Sequence, residues 1–418
     1  LRSHVVTTAD GRRGIAGSDA PMRRVTDAGA VHDEREIEAV LDVLRNTNLD
    51  LGPAVEEFER RGAELLAKRH GVFVNSGSSA LRLAIDLLGC ERGDEVITPA
   101  LTFSSDIAPL VQSGIIPAFV DVDPATYQID VAAIPEMIGP RTKGILVPNL
   151  VGNCPDWDAI RAIADDAGLP VIEDSCDVLD SRLRGTRTGT RADIAVTSFA
   201  RTHAITAAGN GGMVGVDDEA QLDVTLMRRR WGRRSETYLF GSRKGDDERF
   251  GPLADGTPYD LVFVFDDIGY NFEPSEIGAA YALVQLDKLG EFNGRRQRNF
   301  AQLDEALARH DDKVTRPRTT PDVDTTWMRY PFALADGIDR TEIQAGFEAR
   351  GFATRMVWTG NFLRQPGFAG IPHRQPAAGL PNTDLVMDRS ISLPLHHGLT
   401  SDDMGHLVES VDEVLGGL

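Results

Sequence analysis

The spacing of hydrophobic positions changes several times along this chain. From about residue 35 to 70, "DEREIEAVLDVLRN" and "AVEEFERRGAELLAKRHG" place apolar residues three and four apart, the signature of one helix face. Short apolar runs then alternate with helical patterns. "GVFVNSG" precedes "SSALRLAIDLLG", "DEVITPA" precedes "SSDIAPLVQSG", "IPAFVDV" precedes "DVAAIPEMIG", and "KGILVPNLVG" precedes "PDWDAIRAIADDAG". "LPVIEDS", "IAVTSFA" and "GGMVGV" read as further strands. Strands alternating with helices of this length predict an α/β fold: a mainly parallel sheet with helices on both faces. The strand runs are apolar throughout, as a sheet covered on both sides requires.

The pattern shifts near residue 290. "LGEFNGRRQRNFAQLDEALARH" predicts a long connecting helix. "WMRYPFALA", "DRTEIQAGFEARG", "RSISLPL" and "TSDDMGHLVESVDEVL" predict a smaller α+β unit. Gly241 to Asp260 is a polar, Gly- and Pro-rich loop. We therefore expect an N-terminal arm (1–30), a large domain (31–290) and a small C-terminal domain (291–418).

Charge narrows the partners. The 418 residues carry a formal net charge of -20. Nucleic acids and anionic membranes bind basic patches, so neither is an expected partner. An anionic small molecule remains open where a few arginines converge. No apolar run approaches the roughly 18–20 residues that span a bilayer. The opening "LRSHVVTTADGRRGIAG" lacks the apolar core of a signal peptide and predicts a loosely held arm. Cys90, Cys154 and Cys176 are too few and too irregular for a disulfide framework and fit a reducing cytoplasm.

Open parallel sheets bind ligands beyond the carboxyl ends of their strands, and three motifs sit there. "NSGSSAL" (75–81) is a strand end, a Gly-Ser-Ser turn and a helix start. It reads either as a phosphate cradle or as a plain cap at Ser78. "VIEDSCD" (171–177) ends a strand in Glu173 and Asp174, either a ligand-holding acid or a salt-bridged one. Phe103 in "TPALTFSSD" is either a stacking aromatic or core. A phosphate turn, a stacking ring and a strand-end Asp, in that order, suit pyridoxal or pyridoxamine phosphate, whose protonated ring nitrogen an Asp sustains.

These stretches, with "SFARTHAIT", "DIGYNFEPSEIGAAYALVQLDKL" and "GNFLRQP", resemble the sugar aminotransferase/dehydratase (DegT/DnrJ/EryC1/StrS-type) family of fold-type I pyridoxal-phosphate enzymes. The resemblance runs from about residue 30 to the C-terminus. It implies an aspartate-aminotransferase-like fold with a seven-stranded, mainly parallel sheet. It implies that Ser78, Ser79 and Ser198 hold the cofactor phosphate, that Phe103 stacks on the ring and that Asp174 pairs with the ring nitrogen. Asp177 falls where aminotransferases carry a glutamine that meets the ring hydroxyl. Asn271 would reach the phosphate of a second subunit, which implies a homodimer with shared sites.

Where the aminotransferases of this family carry the lysine that bonds the cofactor, this chain has His203. No lysine lies between Lys143 and Lys244, so no slipped register restores one. Histidine cannot make that bond, but it moves protons near neutral pH. The same replacement marks the nucleotide-linked 4-keto-6-deoxyhexose 3-dehydratases, which remove the C3 hydroxyl of the sugar. One type uses a [2Fe-2S] cluster, with one cysteine after the "ED" motif, a Cys-x-Cys after "WGR" and one more. Cys176 fits the first position, but Ser235 and Thr237 stand at the pair and no cysteine follows. One thiolate cannot hold a cluster that takes four ligands. The resemblance therefore points to the cluster-free type, similar to GDP-4-keto-6-deoxymannose 3-dehydratase, with glutamate as amino donor. Ala204, beside His203, departs from the "HH" common at this site, which leaves the substrate open.

Arg229 in "LMRRRWGRRS" reads as a solvated helix face or as a diphosphate- or carboxylate-recognising group. Asn361 and Arg364 in "GNFLRQP" are candidates for the same task, and His396 and His397 read as turn or surface residues. Other lysine-free chemistry of the aminotransferase kind and a non-catalytic homologue stay open as alternatives. A homologue with no catalysis has no need of the full set Ser78, Asp174, Ser198 and Asn271.

Overall fold

The structure is a computed structural model that describes residues 24–246 and 249–417. Most of the expected N-terminal arm, residues 1–23, lies outside the described residues. The arm's inner end is tied down: Val25 N–H donates to the Gly351 carbonyl at 2.8 Å.

Seven strands form the central sheet: β1 (His70–Val74), β2 (Glu95–Pro99), β3 (Ile116–Val120), β4 (Thr142–Pro148), β5 (Val171–Asp174), β6 (Ile194–Ser198) and β7 (Gly212–Val216). Their order is β1-β7-β6-β5-β4-β2-β3. β7 pairs antiparallel with β1 and β6, and all other pairs are parallel, so six strands point the same way. The mainly parallel sheet of the sequence reading is therefore present.

Both faces are covered, which is why the strands read as unbroken apolar runs. Val72, Val74, Ile172, Val196 and Val214 face one side, under α3 (Gly77–Leu87) and α6 (Glu219–Arg229). Their neighbours Phe73, Ala195 and Met213 face the other side and meet α2 (Pro53–Leu65) and α8 (Glu276–Ala308). Across the rest of that side, Ile145, Val147 and Val171 pack with Trp157 and Ile160 of α5 (Trp157–Ala167). The segment expected to be helical after β3 is a 3-10 turn, Val131–Met137. Pro135 inside it has no N–H to continue an α-helix.

α1 (Glu34–Asn46) opens with a capping box formed by Asp33 and Glu36. Glu36 is buried and takes Lys288 Nζ of α8 on both oxygens at 2.6 Å, the Gln285 amide at 2.6 Å and the Asp33 N–H at 2.9 Å. Glu276, the first residue of α8, receives the N–H groups of Gly52, Ala54 and Val55 and so caps α2 from outside. α2 ends at Leu65, short of the expected residue 70, because Ala67 turns into left-handed backbone at φ 54° and the chain enters β1.

α8 is 33 residues long and starts well before the expected 289. Its far end, with Phe300, Leu303 and Leu307, joins a second core around Phe332, Phe347, Leu393 and Leu407. That core covers a three-stranded sheet of β8 (Val314–Thr315), β9 (Tyr330–Leu334) and β10 (Ser390–Leu393). The expected polar loop contains a short hairpin, Phe250–Pro252 with Pro258–Asp260.

Candidate active site

The carboxyl ends of β1, β2, β4, β5 and β6 open on a cavity of about 290 Å³. Ser78, Phe103, Asp174, Asp177, Ser198 and His203 all line it. Four separate loops and helix starts therefore bring six of the expected residues together.

The helix wall comes from α3. Ser76, not Ser78, is its N-cap: Ser76 Oγ accepts the Ser79 N–H at 3.1 Å. That leaves the Ser78 hydroxyl free of the capping task, and Ser78 lines the cavity. The N–H groups of Gly77 and Ser78 have no intrahelical partner by their position in the helix. Ser79 is spent on the turn, its Oγ donating to Asn75 Oδ1 at 2.7 Å, and it lines a neighbouring groove with Arg82 and Tyr270. Residue 77 must be glycine for this approach, since a Cβ there would sit 2.6 Å from Ser198 Cβ.

The acidic wall comes from β5 and the turn after it. Glu173 and Asp174 point to opposite sides of the sheet, as successive strand residues must. Glu173 is saturated by Asn149, Ser175 and Gly189 N–H at 2.7–2.8 Å and is structural. Asp174 faces the cavity, and its Oδ1 accepts the Cys176 N–H at 2.8 Å. Asp177 Oδ2 accepts the Val151 N–H at 2.8 Å and Trp358 Nε1–H at 2.9 Å. Both donors stand in left-handed backbone, Val151 at φ 60° and Trp358 at φ 45°. A β-branched residue there is strained, and such strain persists where the surroundings impose it. Burial, and then the Asp174 charge, pushes Asp177 up to about 7.

His203 stands in the turn after β6, where a fully buried Nδ1 has no hydrogen-bond partner and lies 3.9 Å from Asp177 Oδ1. Burial, followed by the Arg296 charge, lowers the ring to about 4, so it is neutral at physiological pH. Arg296 of α8 holds the turn in place through the His203 carbonyl at 3.3 Å. Phe103 is half exposed over the opening, edge-on to Trp358 with 5.8 Å between ring centroids.

Other expected site residues lie elsewhere. Arg229 is fully buried, its Nη1 2.6 Å from Glu59 and 3.1 Å from the Phe73 carbonyl. Expected to be solvated or to recognise a diphosphate or carboxylate, Arg229 instead holds α6 against α2 and β1. Asn361 caps the short turn Phe362–Arg364 and donates to Asp384 at 3.0 Å. Arg364 is exposed and paired with Asp384 and Asp388 at 3.3 and 3.0 Å. Asn271 is exposed and offers its carbonyl to Asn75 Nδ2 at 3.5 Å. His396 and His397 are buried, not surface residues, and His397 stacks on Phe292 at 4.0 Å between centroids. Cys176 lines the cavity, while Ser235 and Thr237 are buried in α7 (Ser235–Leu239).

Sequence reasoning passed over Asp106, Asn149, Trp358 and Arg296. Asp106 is fully buried beside Asp174 and lines the cavity with Asn149 and Trp358. Its only signal was an acid following Phe103 in "TFSSD".

A cavity that combines a helix N-terminus with strand-end carboxyls fits a ligand carrying both a phosphate and a cationic ring. Comparison with known proteins agrees. The lipopolysaccharide biosynthesis protein RfbH of Salmonella typhimurium is 31% identical over 94% of this chain and 92% of that protein. The dTDP-4-dehydro-2,6-dideoxy-D-glucose 3-dehydratase of Saccharopolyspora spinosa is 34% identical over 96% of this chain and 87% of that protein. The solved structure of E. coli GDP-4-keto-6-deoxy-D-mannose 3-dehydratase with bound hydrated PLP superposes with a TM-score of 0.83, at 25% identity, over 93% of this chain and 99% of that one. The fold is that of the fold-type I pyridoxal-phosphate enzymes, and this chain is a sugar-modifying enzyme that uses pyridoxal phosphate. The DegT/DnrJ/EryC1/StrS aminotransferase family model matches residues 31–412, and the chain belongs to that family.

Proposed function

We propose that this enzyme is a 3-dehydratase of nucleotide-activated 4-keto-6-deoxyhexoses, with His203 as its proton-transferring base and no iron–sulfur cluster. The observation that carries this reading is His203 itself. A neutral, buried imidazole with a free Nδ1 stands in the cavity, and the sequence has no lysine from 144 to 243 to replace it.

When bound, the cofactor supplies an amino group and an electron sink. The protein's part is to hold and orient it and to move protons. Ser78, Ser198 and the free N–H groups at the start of α3 hold the phosphate, with Ser79 fixing the turn. Phe103 covers the ring, Asp174 answers the ring nitrogen and Asp177 lies beside His203. His203 moves a proton at the cofactor's C4′ carbon, and the C3 hydroxyl of the sugar departs. The net reaction converts the keto sugar and glutamate into the 3-deoxy keto sugar, 2-oxoglutarate and ammonia.

Asn271 is proposed to serve the site of a second copy in a homodimer. Support comes from its exposed side chain and from the apolar residues nearby: Phe263 is 51% exposed, Phe265 54% and Ile268 91%. Among the described residues no helix is long and apolar enough to cross a membrane. With the acidic charge and the free thiols, this supports a cytoplasmic enzyme without nucleic-acid partners.

The test is product identity. The purified enzyme with PLP and glutamate is offered nucleotide-linked 4-keto-6-deoxyhexoses, and products are read by mass spectrometry and NMR. A 3-deoxy sugar with ammonia is expected. An amino sugar would overturn dehydration in favour of amine transfer, and no turnover of any such sugar would overturn both.

A further inference from the structure

Asp106 is the third residue of α4 (Ser104–Gln112), which starts just past the end of β2. An acid in a helix's first turn ordinarily faces water and favours the helix dipole. Asp106 instead has 0% exposure and lines the cavity. Thr102 Oγ1 donates to its Oδ2, and its Oδ1 has no hydrogen-bond partner. The Asp106 and Asp174 carboxyls share the wall of one cavity, and each acts on the other.

Two ionised carboxylates are acceptors only. In that shared wall, away from water, they repel and leave Oδ1 unsatisfied. A single proton between them supplies the missing hydrogen bond, as in other buried acid pairs. Asp174 receives the Cys176 N–H, whereas Asp106 receives only a hydroxyl, so Asp174 is the better anion and Asp106 the better acid. Burial, and then the Asp174 charge, holds Asp106 well above the usual carboxylate range. The remaining groups around the pair agree. Asp177 and Cys176, on the turn after β5, add negative charge or none. His203, on the turn after β6, is neutral and offers no compensating cation.

We infer that Asp106 is a positioning residue: it keeps its proton at neutral pH and donates a hydrogen bond to Asp174, fixing that carboxyl as an oriented anion for the cofactor's ring nitrogen. This rests on the proposed pairing of Asp174 with that nitrogen. A second ionised acid beside Asp174 would leave the bound cofactor facing surplus negative charge. With Asp106 neutral, one anion meets one ring cation.

The test uses the PLP-loaded enzyme. Asp106→Asn keeps a donor but has no ionisable proton, and Asp106→Ala has neither. Infrared spectra at about pH 9, above the Asp177 titration, are expected to contain a protonated-carboxyl band that shifts in D2O. The band should survive Asp177→Asn and vanish in Asp106→Asn. PLP titrations followed by absorbance should place Asp106→Asn within about threefold of wild type across the pH range. Asp106→Ala should bind at least about tenfold more weakly near pH 6 than near pH 8, because Asp174 then takes up the proton itself. A missing band, a band that survives Asp106→Asn, or a wild-type pH profile in Asp106→Ala would overturn the inference. If Asp106→Ala does not fold, the infrared result with Asp106→Asn decides. Failure of the wild type to bind PLP would instead overturn the placement of the cofactor.

Discussion

Two buried acid clusters in this molecule have opposite character. Where α1 meets α8, Glu36 is enclosed by Lys288, Gln285 and the Asp33 N–H. Burial alone would raise its carboxyl, but those hydrogen bonds outweigh it and hold the group below its ordinary value. At the strand ends, Asp106, Asp174 and Asp177 share one cavity, and all three are pushed upward, burial being the first cause for each. The opposing charge that acts on Asp177 is Arg296, itself brought down to about 10 by burial and by Arg329. A buried acid that meets its partners inside the chain holds the fold together. Of these two clusters, the one short of partners is the one that lines the cavity.

The comparison breaks most sharply at His203. His203→Asn should cut turnover by about a thousandfold or more while PLP still binds, measured by product formation and by absorbance of the bound cofactor. If the variant retains wild-type turnover, the strand-end cluster has lost its base and the contrast its functional half. At the scaffold cluster, Lys288→Met leaves Glu36 buried and unpaired. It should lower the unfolding free energy by about 3 kcal/mol, read by denaturant titration, with PLP affinity unchanged. A drop in affinity with no loss of stability would reverse the assignment of the two clusters.

The smallest effect is expected at Asp177, and its sign is distinctive. An ordinary Asp titrates at 3.8 in the unfolded chain, and Asp177 at about 7 in the folded one. Between those values the folded state binds the extra proton, so this residue's contribution to stability falls as pH rises through that window. Asp177→Asn removes the penalty. The variant should be more stable than wild type at about pH 8, by on the order of 1–3 kcal/mol, and equal to it below about pH 4, as read by melting at the two pH values. Equal stability at both would mean that Asp177 is solvated and does not belong to the buried set.

The sheet was legible in the sequence because strands covered on two faces cannot alternate, and because Ser78, Asp174 and His203 all stand where a strand stops. What was hidden came from burial and from distance. Asp106 looked like any first-turn acid, since nothing local reveals that it is buried in the wall of the cavity that Asp174 also lines. Arg229 sat in a run of arginines that looks alike residue by residue, yet only it reaches Glu59 with no exposure. Trp358 lies 181 positions from the Asp177 it bonds, beyond the reach of any local pattern.

Asp177 cannot turn, because Val151 and Trp358 both occupy Oδ2. Oδ1 alone is left toward His203, 3.9 Å from Nδ1, and it is an acceptor once Asp177 is ionised, above about pH 7. An acceptor opposite Nδ1 favours the imidazole tautomer with hydrogen on Nδ1, which leaves the lone pair on Nε2. In Asp177→Asn the amide oxygen must take the place of Oδ2 to satisfy the same two N–H donors. The amide NH2 then faces Nδ1, and the histidine hydrogen is driven to the other nitrogen. Two strained backbone positions thereby fix which oxygen of Asp177 faces His203.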